Sequence, residues 1–136
     1  MPHHRRRALI VEDEVAIALD LEHAMADLGF DVCELAPSDQ KARALAMQDE
    51  PDIVLVDVCL AGGREGIETG RWLRDVCGAS IVFVTACDDQ ATVDRIKERV
   101  PGAQLLPKPV YRDRLAAAVA RVSGSPGMTE PARTVR

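Results

Sequence analysis

Apolar and polar positions follow two rhythms along the 136-residue chain. Short, mostly apolar runs at 8–11, 53–56 and 80–84 read as strands buried on both faces, the pattern of a parallel sheet. A shorter run at 104–106 reads as a fifth strand. The alternating stretch 31–35 reads as a strand nearer the sheet edge. Between these lie segments with three- and four-residue apolar spacing, which predict helices. The first covers 15–28, with Ala18, Leu21, Met25 and Leu28 on one face, and Gly29 stops it. The second covers 41–49, with Ala42, Leu45 and Ala46 inward, Ser38 as its cap and Pro51 beyond its end. The third covers 67–77, where Ile67, Gly70 and Leu73 share a face and Trp72 is a partly buried aromatic. The fourth covers 90–99, opened by Asp88 and Asp89, whose carboxylates suit a helix N-terminus. The last covers 115–122.

Strand and helix thus alternate five times between residues 8 and 122. Short strands with intervening helices force a mostly parallel α/β sheet covered on both faces, a doubly wound (βα)5 domain. Residues 1–7 and 123–136 carry no periodicity and read as a disordered lead and a flexible tail or linker stub. No apolar run approaches the roughly 20 residues that span a membrane. The basic Arg5–Arg6–Arg7 precedes too short an apolar stretch for a signal peptide, so a cytoplasmic protein is expected. The formal net charge of -5 argues against direct DNA binding. Cysteines 33, 59, 77 and 87 lack metal-ligand spacing and read as reduced thiols.

The candidate chemistry lies where strands end. Glu12 and Asp13 follow the first strand, Asp57 the third, Thr85 the fourth and Lys108 the fifth. The carboxyl edge of an open α/β sheet is where ligands bind. Taken singly, Glu12, Asp13 and Thr85 read equally well as helix or turn caps, and Lys108 as an exposed corner. Taken together, three carboxylates converging on one edge repel unless a cation joins them, and oxygen ligands suit Mg²⁺. An Asp beside such a cation can accept a phosphoryl group as an aspartyl phosphate. The hydroxyl of Thr85 and the ammonium of Lys108 would neutralise charge on the transferring oxygens. A cis bond before Pro109 would turn Lys108 over the sheet edge. No Ser–His or Cys–His pairing points to a hydrolase, since His3 and His4 lie in the lead and His23 is mid-helix. A flavodoxin-like cofactor domain would need a phosphate-binding loop after the first strand, where Glu12, Asp13 and Glu14 repel anions.

At these separations the pieces Val11-Glu12-Asp13-Glu14, Asp57, Val84-Thr85-Ala86 and Leu106-Pro107-Lys108-Pro109 resemble the response-regulator receiver domains of two-component signalling. The resemblance covers 8–122. It implies a CheY-like fold with strand order 2-1-3-4-5 and Asp57 as phosphoacceptor. It further implies that Glu12, Asp13, Asp57 and the Cys59 carbonyl hold Mg²⁺. Thr85 would contact the phosphoryl oxygens and report their arrival, and Lys108 would pair with the phosphorylated aspartate. The donor would be a histidine kinase or a histidine phosphotransfer protein, with slow self-dephosphorylation afterwards.

Two departures stand out. The switch position, usually Tyr or Phe, is Leu105, so repacking of Leu105 or movement of Tyr111 would have to replace an aromatic flip. The proline usual four residues after the phosphoacceptor is Ala61, within a loop one residue longer that resembles general-stress and hybrid-kinase receivers. Cys59 and Cys87 occupy places that tune dephosphorylation in the family, and their proximity would also permit redox control. The expected output is protein contact with an unknown target, through a stand-alone receiver or one excised from a larger hybrid kinase or regulator. Asp20, His23 and Asp27 on the first helix face a prospective kinase, and the last helix-strand-helix face suits a homodimer. A phosphate-independent interaction domain is the remaining alternative.

Overall fold

Five parallel strands set the frame of the computed structural model, which describes residues 6–62, 65–87 and 89–123. They are β1 (Arg7–Val11), β2 (Asp31–Val32), β3 (Ile53–Asp57), β4 (Ser80–Thr85) and β5 (Gln104–Pro107). Their order is β2-β1-β3-β4-β5, as the resemblance implies. Helices α1 (Val15–Asp27), α2 (Asp39–Asp49), α3 (Glu65–Cys77), α4 (Gln90–Arg99) and α5 (Arg112–Ser123) connect and cover them.

The unbroken apolar run of β3 has a direct cause. Successive side chains point to opposite faces, and both faces are buried. Val54 and Val56 join Leu9, Val11, Ile81 and Phe83 in the core under α2, α3 and α4. Ile53 and Leu55 join Ala8, Ile10 and Val82 in the core under α1 and α5. The central strand pairs along its whole length with β4, from Ile53↔Ser80 to Asp57↔Val84. That register puts Asp57 and Thr85 at adjacent strand ends.

Several boundaries differ from the sequence reading. The ladder of β2 ends at Val32, not 35. The following segment still bonds to β1, with Cys33 N–H donating to the Ala8 carbonyl and Ala36 N–H to that of Ile10. Val32 and Leu35 pack toward the core under α1 and α5 and Cys33 toward the other core, so the segment leaves regular strand alternation after Val32. Leu28, expected inward, is the α1 C-cap and is 41% exposed; the buried residue there is Phe30. Helix α2 starts at Asp39, with Ser38 Oγ accepting from Lys41 N–H as predicted for a cap. Helices α3 and α5 start two and three residues earlier than their apolar patterns do, because their first turns are polar. The residues of both termini fall outside the described range except 6, 7 and 123, as do Gly63, Arg64 and Asp88.

Charged side chains tie helices rather than scatter. The Arg99 guanidinium on α4 grips both oxygens of Glu68 on α3 at 2.8 Å. That hydrogen-bonded fork holds the Glu68 carboxyl below the usual carboxylate range. Arg95 reaches the same carboxylate at 3.9 Å, so it serves an intrachain contact.

The end of α2 contains a local strain. Its C-cap, Glu50, adopts the left-handed conformation at φ 50°, ψ 64°. Left-handed geometry costs an L-residue roughly 1–2 kcal/mol, which glycine avoids, while glycine's freer unfolded chain takes back about 0.4–1 kcal/mol. Glu50→Gly is therefore expected to raise stability by about 0.5–1 kcal/mol, read as a higher urea midpoint at unchanged slope. A lower midpoint would refute this account of the cap.

Candidate functional site

The end of β1 turns its acidic residues in two directions. Glu12 N–H donates to the Ala36 carbonyl, which holds the turn, and the Glu12 side chain is buried. Asp13 is exposed. Asp57, last residue of β3, is 4% exposed. Ligand oxygens of Glu12, Asp13 and Asp57 lie within 4.8 Å of one another. The sequence prediction that these three converge therefore holds.

Each buried carboxylate has named partners. Glu12 Oε2 accepts from Glu14 N–H at 3.1 Å, and Asp57 Oδ1 accepts from Cys59 N–H at 3.1 Å. Lys108 reaches inward over the edge: its Nζ lies 3.0 Å from Glu12 Oε1, 3.6 Å from Asp57 Oδ1 and 3.9 Å from Glu14 Oε1. The exposed-corner alternative for Lys108 is excluded by these contacts. Its backbone N–H donates to the Thr85 carbonyl, which fastens the end of β5 to that of β4. The Lys108–Pro109 bond is cis.

The electrostatics describe a site short of positive charge. Burial pushes the Glu12 carboxyl up, and the nearby Asp57 charge adds to it. The hydrogen bonds from Lys108 and the Glu14 backbone pull the other way but do not prevail. For Lys108, burial is the largest single influence and acts downward. The Glu12 hydrogen bond and the charges of Asp57, Glu12 and Glu14 together outweigh it, so the ammonium is held above its ordinary value. One ammonium shared among three carboxylates leaves an excess of negative charge. An all-oxygen donor set with that excess fits a hard divalent cation.

Thr85 is fully buried. Its hydroxyl donates to the Cys87 carbonyl at 3.0 Å and accepts from Cys87 N–H at 2.9 Å. It is thus a turn cap and a site neighbour at once, since Cys59 Sγ lies 3.9 Å from the same oxygen. Leu105 is half-buried and packs against the core beneath α2, α3 and α4. Tyr111 is 60% exposed.

Two features of the loop after β3 escape sequence reasoning. Ala61 adopts φ 60°, ψ 23° within the 3-10 turn at Leu60–Gly62, a value closed to proline, whose ring holds φ near −65°. Gly66, which the sequence places at the end of a tightly bending glycine-rich loop, lies in the first turn of α3 and is buried. Its N–H donates to the Val58 carbonyl at 3.1 Å, and a Cβ there would stand 1.9 Å from the Asp57 carbonyl oxygen.

A doubly wound sheet with converging carboxylates, an inward lysine and a hydroxyl at one edge defines a phosphoacceptor class of domain. Comparison with known proteins makes the assignment specific. Residues 8–120 match the response regulator receiver domain family, and the chain belongs to it. It is 32% identical over 114 residues to the transcriptional regulatory protein PdtaR of Mycobacterium tuberculosis, covering 84% of this chain and 55% of that protein. It is 30% identical over 114 residues to the phyllosphere-induced regulator PhyR of Methylorubrum extorquens, covering 83% of this chain and 42% of that protein. The chain thus spans about half the length of these relatives. Among solved structures it resembles the signal receiver domain of a modulated diguanylate cyclase from Desulfovibrio desulfuricans. That likeness has a TM-score of 0.80 and 32% identity, and covers 93% of this chain and all of the other. Family membership and the acidic cluster together support a phosphoacceptor signalling domain. No helix among the described residues is long and apolar enough to cross a membrane.

Proposed function

We propose that the receiver comprises residues 8–122 and that Asp57 takes a phosphoryl group from the phosphohistidine of a histidine kinase or histidine phosphotransfer protein. The observation that carries this reading is the buried Asp57 carboxylate, grouped with Glu12 and Asp13 and reached by Lys108. A carboxylate oxygen of Asp57 attacks phosphorus, a P–O bond forms, the P–N bond to the imidazole breaks, and the imidazole leaves. Glu12, Asp13, Asp57 and the Cys59 carbonyl would hold Mg²⁺. When bound, that ion supplies charge neutralisation at the phosphoryl oxygens. Cys59 N–H orients Asp57. Lys108 carries its positive charge to the phosphorylated aspartate. The Thr85 hydroxyl leaves the Cys87 carbonyl to donate to a phosphoryl oxygen, which alters the turn at the end of β4.

The donor approaches beside Lys108. A cavity of about 340 Å³ there is lined by Ile17, Asp20, Leu21, Lys108, Pro109 and Val110. Val15 and Leu19 of α1 are exposed nearby, and Asp20, His23 and Asp27 give the helix polar outer positions. Such a surface suits the apolar face of a phosphotransfer helix. Output contacts, to a protein target or a second copy, fall to the face of α4, β5 and α5. There Leu105 repacks in place of an aromatic flip.

The test is intact mass after incubation with acetyl phosphate and Mg²⁺, with Asp57→Asn in parallel. The wild type is expected to gain one phosphoryl mass, and the variant none. Beryllofluoride binding covers rapid turnover. Failure of both the adduct and beryllofluoride binding would replace this reading with that of a phosphate-independent interaction domain.

A further inference from the structure

The two loops that border Asp57 each carry a cysteine, and neither thiol is needed for the chemistry above. Cys59 follows β3 and is half-buried; Cys87 follows β4 and is exposed. Both are free thiols. The paired register of β3 and β4 continues past the strands, with Val58 N–H donating to the Val84 carbonyl at 3.0 Å, so the loops leave side by side. Thr85 bridges that gap, its hydroxyl 3.9 Å from Cys59 Sγ on one side and bonded at both polar ends to the Cys87 backbone on the other.

We propose that Cys59 and Cys87 form a reversible disulfide across the mouth of the site, a covalent lock that slows phosphoryl transfer to Asp57. The oxidant is a small-molecule disulfide such as oxidised glutathione. The exposed Cys87 sulfur attacks one sulfur of that reagent, whose S–S bond breaks and releases one thiol. Cys59 sulfur then attacks the mixed disulfide at the Cys87 sulfur and releases the second thiol. Two protein S–H bonds become one S–S bond, and the reagent's S–S bond becomes two S–H bonds. Protons and electrons balance.

The consequence follows from what the two backbones hold. Cys59 N–H orients Asp57 Oδ1, and the Cys87 backbone holds the Thr85 hydroxyl. A bridge between the two side chains ties these groups together, so Thr85 no longer turns freely toward a phosphoryl oxygen and the loops no longer part for a donor. The other two cysteines lie elsewhere. Cys33 is half-buried beside Asp49, its thiol pushed up to about 11, chiefly by burial, and Cys77 is at the end of α3, away from the loops after β3 and β4.

The gating half of this proposal rests on the phosphoacceptor reading; the disulfide half does not. The 136-residue chain is incubated with oxidised glutathione, digested without reduction, and the linked peptides are sequenced by fragmentation. The expected product joins Cys59 to Cys87 and disappears with dithiothreitol. The oxidised protein should take up phosphoryl from acetyl phosphate about tenfold more slowly, since small misplacements of reacting groups have effects of that size or larger. Dithiothreitol should restore the rate, and the rate of Cys87→Ser should not respond to oxidant. A glutathione adduct on Cys87 with no cross-link would overturn the disulfide. A cross-link that leaves the rate unchanged would overturn the lock. If the reduced protein takes up no phosphoryl, the phosphoacceptor reading fails while the peptide map still decides the disulfide.

Discussion

Gly66→Ala is expected to lower stability by about 3 kcal/mol and to slow phosphoryl uptake on Asp57 by roughly a hundredfold. The added methyl would stand 1.9 Å from the Asp57 carbonyl oxygen and 2.8 Å from the Asp57 carbonyl carbon and Val58 Cα. All three neighbours are backbone, so no side chain can rotate away. Alanine's better helix propensity recovers only about 1 kcal/mol of the clash. The first turn of α3 must therefore move off the end of β3, breaking the Gly66–Val58 hydrogen bond and shifting the aspartate it abuts. For a domain of this size the loss corresponds to a drop in melting temperature of roughly 10–15 °C. Gly70→Ala separates the two effects. Its methyl would meet the Phe83 ring at 2.6 Å, a side chain deep in the sheet core rather than the site backbone. That variant should melt lower yet keep its uptake rate at a temperature where it is folded. An unchanged melting temperature for Gly66→Ala would show that α3 does not abut Asp57 this closely.

The contrast between these two glycines shows what a sequence can and cannot display. Strands β1, β3 and β4 are legible because burial on both faces makes them continuously apolar, a signal independent of where their partners lie. Once their ends are located, Glu12, Asp13, Asp57, Thr85 and Lys108 fall on one edge by topology alone. Helix starts are less legible, because the first turns of α3 and α5 carry charged residues and little apolar signal. The short ladder of β2 depends on where the chain peels from β1, a matter of tertiary bonding rather than composition. Gly66 is invisible for a different reason. A glycine tolerated in a bend and a glycine required by a neighbouring carbonyl have the same letter. The contact of Cys59 with Thr85 beside Cys87 is of that kind too, since sequence gives the equal offsets of the two cysteines from Asp57 and Thr85 but not the direction of their side chains.

Lys108→Met is expected to destabilise the metal-free protein at neutral pH by about 2–3 kcal/mol, somewhat less than the loss from breaking a fully enclosed ion pair. Among the described residues, Lys108 supplies the ammonium that contacts both Glu12 and Asp57. Without it two buried carboxylates face each other with only backbone N–H groups and Asp13 for company. The pH dependence identifies the cause. Burial already holds the Glu12 carboxyl above its ordinary value despite the lysine. A carboxyl raised in the folded state binds its proton more tightly there than in the unfolded chain. Its contribution to stability therefore declines as pH rises from the ordinary carboxylate range to the raised folded value, and is flat above that. Removing Lys108 takes away an influence that lowers this value, so the decline becomes deeper and extends to higher pH. Urea midpoints should consequently differ most between wild type and variant at neutral pH and converge in mild acid, where Glu12 is protonated in both. Added Mg²⁺ should recover more of the lost stability in the variant than it adds to the wild type, because the ion then compensates a charge that the lysine no longer meets. A deficit independent of both pH and Mg²⁺ would assign the lysine a packing role instead and remove the electrostatic basis for reading this sheet edge as a cation site.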